Sequence, residues 1–160
     1  MDTAEIQIER APHEADATLM SSRALLGVVA RSLSDALEVV TLPQFRVLVI
    51  ISSSGPLRMG ALAARAHSLP STFSRSIDRM VAGGWVLRRE SPGSRREVLI
   101  ELTVLGRQLV EHVTQRRRDE IAAILERLAP EDRVAVGAAF ELFAQAAGEP
   151  PLEDLLTLGL

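Results

Sequence analysis

The chain contains no cysteine, no tyrosine and no lysine, and aromatic residues make up only 3% of its 160 positions. Each absence excludes something. Without thiols there are no disulfides, no thiolate metal ligands and no cysteine redox sensor. With so few rings the core must be built from Leu, Val, Ile and Ala, a palette that favours helix packing over a β-sandwich. All 18 basic residues are arginine. A GC-rich coding bias accounts for that choice, yet it also means that any phosphate contact comes from a guanidinium fork suited to bidentate geometry. Long hydrophobic runs are missing too. The longest, VLVII at 47–51, is far too short to span a bilayer. The opening MDTAEIQIERAPHEAD is acidic and lacks the apolar stretch of a secretory signal. The expectation is a soluble, cytoplasmic protein.

What is present is a globular composition, 47% hydrophobic, in a length that suits one domain or two small lobes. Charge is distributed unevenly. Residues 1–40 carry 3 Arg against 7 acids, residues 41–118 carry 13 Arg against 5 acids, and residues 119–160 carry 2 Arg against 9 acids. A basic middle between acidic ends suits a nucleic-acid-binding lobe attached to helices that do not touch the nucleic acid.

Apolar spacing predicts a helix over 15–38, through Leu19, Leu25, Leu26, Val29, Leu33 and Leu37. Thr41 and Pro43 open a second, apolar on most sides and therefore central. SSSGP at 52–56 breaks the chain. LRMGALAARA (57–66) reads as a short helix with Met59, Leu62 and Ala63 inward. SLPSTFSR (68–75) begins another, whose stripe of Phe73, Ile77, Met80 and Val81 is clean and which Gly83-Gly84 ends. The period then changes. WVLRRE (85–90) and REVLIELT (96–103) read as strands of a hairpin joined by SPGSR, with Arg95 and Arg96 at its tip. Thr103 caps a long helix reaching Leu128, roughly 37 Å. Pro130, Glu131 and Asp132 start a last one, running through Val136, Phe140 and Phe143 to Ala147. A tail with five leucines follows.

Two short helices joined by a tight turn, with a basic hairpin directly behind them, describe a winged helix-turn-helix. The fold class is mainly α with a small β-hairpin wing. In that geometry the helix starting near Pro70 enters the major groove. Its small hydroxyls let the backbone approach phosphates. Arg75 and Arg79, four apart, share a face. Ser and Thr at a helix start also serve as plain caps, so the stretch taken alone leaves both readings open.

The run from LTLPQFRVL to LTVLGRQLVE resembles the MarR family of bacterial transcriptional regulators. LPQFRVL, GPL…LA, PSTFSRSIDRM, GWVLRR…SRR and LT..G carry the likeness by their order and spacing, and it spans about residues 15–147. The resemblance implies a homodimer that binds double-stranded DNA at a pseudo-palindromic operator, as a repressor relieved by a small, often aromatic, ligand. It implies dimerisation through 1–40 and 103–160, and a winged helix-turn-helix DNA-binding lobe over 41–102. It places Pro70, Ser71, Thr72, Ser74, Arg75, Ser76 and Arg79 on the recognition helix and Arg95 and Arg96 on the wing, with Arg96 reaching the minor groove. An effector site between the two regions has Arg23, Arg46, His112 and Arg116 as its candidates. Two departures stand out. Ser94 occupies a position where the family usually has an Asp that anchors the wing arginines, so this wing is looser or held differently. Ser68-Leu69 inverts the usual order before the recognition helix.

Other chemistry finds little support. His13, His67 and His112 are the only imidazoles, and none has a metal-site spacing. No cofactor is expected. Without GxSxG, a P-loop or GxGxxG, the chain does not read as an enzyme. The alternative is a winged helix used as a protein-interaction module without sequence-specific DNA binding. Arg116, Arg117 and Arg118 either reach flanking phosphates or pair with acids such as Glu111 and Glu120. Pairing between subunits or at the surface is the favoured reading.

Overall fold

The computed structural model describes residues 3–68, 70–91 and 94–148, and within them side chains other than those of 3–12, 70–71 and 94–96. The elements are α1 (Thr3–Leu33), α2 (Ala36–Val39), α3 (Leu42–Ser54), β1 (Leu57–Arg58), α4 (Met59–Arg65), α5 (Pro70–Ala82), β2 (Val86–Ser91), β3 (Ser94–Leu102), α6 (Val104–Leu125) and α7 (Pro130–Ala146). The helix expected over 15–38 starts earlier and breaks at Ser34-Asp35. There the single Ser34 O–H lies within hydrogen-bond distance of both the Arg31 carbonyl (2.9 Å) and the Asp35 carboxylate (2.9 Å), an alternative to the helical ladder.

α3 has a reciprocal cap. The Thr41 N–H donates to the Gln44 side chain (2.8 Å) and the Gln44 N–H to the Thr41 hydroxyl (3.4 Å). Pro43 occupies the helix's second position, where its missing N–H is harmless. Phe45, Val47, Leu48 and Ile51 make α3 the centre of the core. Around it pack Leu62 of α4, Phe73, Ile77 and Met80 of α5, Val86 of β2, Ile100 and Leu102 of β3, and Val110 and Val113 of α6.

The sheet has three strands in the order β1-β3-β2, all antiparallel. β1 corrects the expected start of the helix at Leu57. Leu57 and Arg58 pair instead with Ile100 and Leu99. Two residues are too few to carry an alternation signal. Both short helices end the same way. The Ser68 N–H reaches the Ala63 carbonyl (3.0 Å) past His67 at φ 50, and the Trp85 N–H reaches Met80 (2.9 Å) past Gly84 at φ 76.

α6 is locked to the end of α5 through its cap. The Thr103 hydroxyl donates to the Gly84 carbonyl (2.6 Å) and accepts from the Gly106 N–H (3.0 Å). A Cβ on Gly106 would lie 2.2 Å from the Trp85 carbonyl oxygen. The LT..G motif is therefore a tight crossing that admits no side chain. α7 is the opposite case. It buries no residue, and Val134, Phe140, Leu142 and Phe143 are exposed. Leu19, Leu25, Leu26 and Leu37, counted above in the apolar stripe of the first helix, are exposed as well. Among the described residues no helix is long and apolar enough to cross a membrane. The leucine-rich tail lies outside them.

Candidate nucleic-acid interface

α5 divides its residues cleanly. Phe73, Ile77 and Met80 are at most 3% exposed, which fixes the helix on the core and turns the other side outward. Thr72, Arg75, Asp78 and Arg79 lie on the exposed side, and Ser74 and Ser76 are half-buried at its margins. Pro70 and Ser71 open the helix, but their side chains fall outside the described set. The Ser68 hydroxyl donates to the Ala66 carbonyl (3.3 Å), which holds it against the end of α4.

Asp78 is the one acid between the two arginines of this face, and Arg88 of β2 holds it at 2.6 Å. Among the described residues neither Arg75 nor Arg79 has a carboxylate partner. The arrangement neutralises Asp78 from the wing side and leaves both guanidinium groups of α5 available to an anion. Asp78 and Arg88 were not singled out from the sequence. The RR pair of the strand was visible there, but its partner depends on how β2 crosses the end of α5.

The wing is held along its length. Besides Arg88 and Asp78, Arg89 meets Glu101 (3.3 Å) across β2 and β3, and Arg58 of β1 meets Glu97 of β3 (2.6 Å). These pairs give the wing ties of its own where Ser94 replaces the expected Asp. The hairpin is also longer than expected. β3 begins at Ser94, which pairs with Ser91 after an irregularity at Glu90/Ser91. Arg95 and Arg96 thus belong to the outer end of a strand, and Arg95 is not in the connecting loop.

The four effector candidates do not converge. His112 lines a cavity of about 560 Å³ on the flank of α6, with Ser52, Gln108, Glu111, Gln115 and Arg118. Arg116 lines a different one of about 490 Å³, with Arg31, Ser34, Glu120, Ile124 and Arg127. Arg23 and Arg46 line neither. Of the 116–118 arginines, Arg116 shows the favoured surface pairing, with a partner not singled out from the sequence. Arg116 pairs with Asp35, Arg31 with Glu120 (2.8 Å), and the Arg117 Nε lies 3.4 Å from the Ser32 hydroxyl. These are contacts inside one chain, made because α6 packs along the end of α1. No group of three or more His, Cys, Asp or Glu among the described residues is placed to hold a metal ion.

Known proteins agree with this architecture. The MarR family model matches residues 40–98, which cover α3 to most of β3. The chain is 29% identical over 96 residues to the multiple antibiotic resistance protein MarR of Salmonella typhimurium, 60% of this chain and 67% of that one. Among solved structures it is similar to RV1404 from Mycobacterium tuberculosis, with 42% identity, TM-score 0.76, and 84% and 92% of the two chains covered. It is also similar to a MarR family protein from Bacillus stearothermophilus, with 26% identity, TM-score 0.71, and 88% and 98% covered. With a core-anchored helix presenting Arg75 and Arg79 beside a braced wing, the chain belongs to the MarR family of transcriptional regulators.

Proposed function

We propose that two copies of this chain pair through α1, α6 and α7 and present their α5 helices to successive major grooves of a pseudo-palindromic operator. In this reading the protein is a cytoplasmic repressor of neighbouring genes. The observation that carries it is the two-sided character of α5, with Phe73, Ile77 and Met80 buried and Thr72, Arg75 and Arg79 exposed. The N-terminal turns of such a helix read base edges, and two-fold partners meet half-sites about 34 Å apart. Pro70, Ser71, Ser74 and Ser76 border the DNA, while Arg95 and Arg96, at the outer end of the wing, reach the flanking minor groove. Pairing through α7 is supported by its exposed Phe140, Leu142 and Phe143. A small ligand in the cavity beside His112 shifts the balance between α6 and the DNA-binding lobe.

A mobility-shift titration on the DNA upstream of the gene tests this. Wild type should prefer that DNA to unrelated sequence. Its affinity should fall with salt by about 0.9 log units per log salt for each phosphate neutralised. Arg75→Ala should lose the preference. Unchanged specificity in that variant would mean that α5 does not read the operator.

A further inference from the structure

We propose a second ligand site, for a small doubly charged oxyanion, at the junction of α1 and α6. The cavity there, about 490 Å³, is lined by Arg31, Arg116 and Arg127, with Ala123 and Ile124 as its apolar part. Two carboxylates oppose them, Glu120 in the lining and Asp35 on Arg116. The three cations are therefore not fully compensated. The hydrogen bonds say the same. Arg31 commits Nε to Glu120 and Arg116 commits one terminal nitrogen to Asp35, while Arg127 has no carboxylate partner among the described residues. A guanidinium has five N–H donors, so the three arginines keep donors beyond those that the two carboxylates take. A phosphoryl group or a dicarboxylate has enough oxygens to take donors from all three arginines. A single carboxylate brings half the charge and fewer acceptor sites to the same three arginines.

The site has a mechanical reach. Asp35 forms the turn between α1 and α2, and α2 leads through Val40 and Thr41 into α3. An oxyanion on Arg116 competes with Asp35 for the same guanidinium and loosens that corner. This consequence for DNA rests on the proposed regulatory function; the binding itself does not.

Calorimetry on the full chain without DNA, at low salt and mildly alkaline pH, tests the site with inorganic phosphate, succinate and the monoanion benzoate. At least one dianion should bind saturably and more tightly than benzoate. Phosphate alone would identify a phosphoryl ligand, and succinate alone a dicarboxylate. Arg127→Gln should weaken the dianion about tenfold, the loss of one charge-assisted hydrogen bond. Arg107→Gln, an exposed arginine near the start of α6, should leave it unchanged. Both variants should keep the wild-type melting temperature, since neither side chain is buried. No saturable binding of either dianion, benzoate binding as tightly, or equal effects of the two variants would overturn the site. Saturable dianion binding by a preparation that fails to bind DNA would keep the site and overturn the regulatory reading.

Discussion

Replacing Arg88 with alanine removes the partner of Asp78 on the outward face of α5. The two side chains are 41% and 55% exposed, so the pair adds only about 0–1 kcal/mol to folding. Its weight falls on DNA binding instead. Without Arg88, Asp78 stands as a bare negative charge between Arg75 and Arg79. A phosphate about 8 Å away then meets a repulsion of roughly 0.5–1 kcal/mol for an effective dielectric between 80 and 40. That corresponds to about twofold to fivefold in affinity, before the lost attraction of Arg88 itself is added. Asp78→Ala alone should leave affinity equal or slightly improved. The double variant should recover part of what Arg88→Ala loses. Fluorescence anisotropy with a labelled operator at low salt reads all four proteins in a double-mutant cycle. The differences should shrink as salt is raised and the Debye length falls to about 8 Å near physiological ionic strength. If Arg88→Ala and the double variant bind equally, Asp78 does not face the phosphates and the account of this face is wrong.

Three further outcomes are expected. Gly106→Ala places a methyl group 2.2 Å from the Trp85 carbonyl oxygen, so the α6 crossing must shift; overpacking of this kind destabilises by about 1–3 kcal/mol, and an unchanged denaturation midpoint would contradict the contact. Thr103→Val removes the hydroxyl that serves both Gly84 and the α6 cap, and urea denaturation should show a loss of about 1–2 kcal/mol. Phe140→Asp charges an exposed position of α7 outside the buried core, so sedimentation should show monomers at micromolar concentration where wild type is a dimer; a dimeric variant, or a monomeric wild type, refutes pairing through α7.

Much of the winged helix-turn-helix lobe was legible in the sequence because its signals are local. The stripe of Phe73, Ile77 and Met80 repeats within one helix. Thr41 and Thr103 cap the helices they precede, and Gly84 takes the positive φ that ends α5. The reason for Gly106 was not legible, since the Trp85 carbonyl that excludes a side chain lies 21 positions away. Nor was β1, which is a strand only because the edge of β3 is beside it. The effector candidates fared worst. Arg116 and His112 are four residues apart on α6, yet they face different cavities, because Arg116 turns toward Asp35 while His112 does not.

By itself the sequence determined most of the helical segments, the caps at Thr41 and Thr103, and which side of α5 is apolar. These depend on residues a few positions apart, whose interactions exist in any chain that adopts the local conformation. Tertiary structure alone decided which acid meets which arginine, and that Phe140, Leu142 and Phe143 of α7 stay exposed. Those outcomes depend on residues 10 to 89 positions apart, as with Asp78 and Arg88 or Arg31 and Glu120. Only the packing of the core brings such pairs within reach of each other.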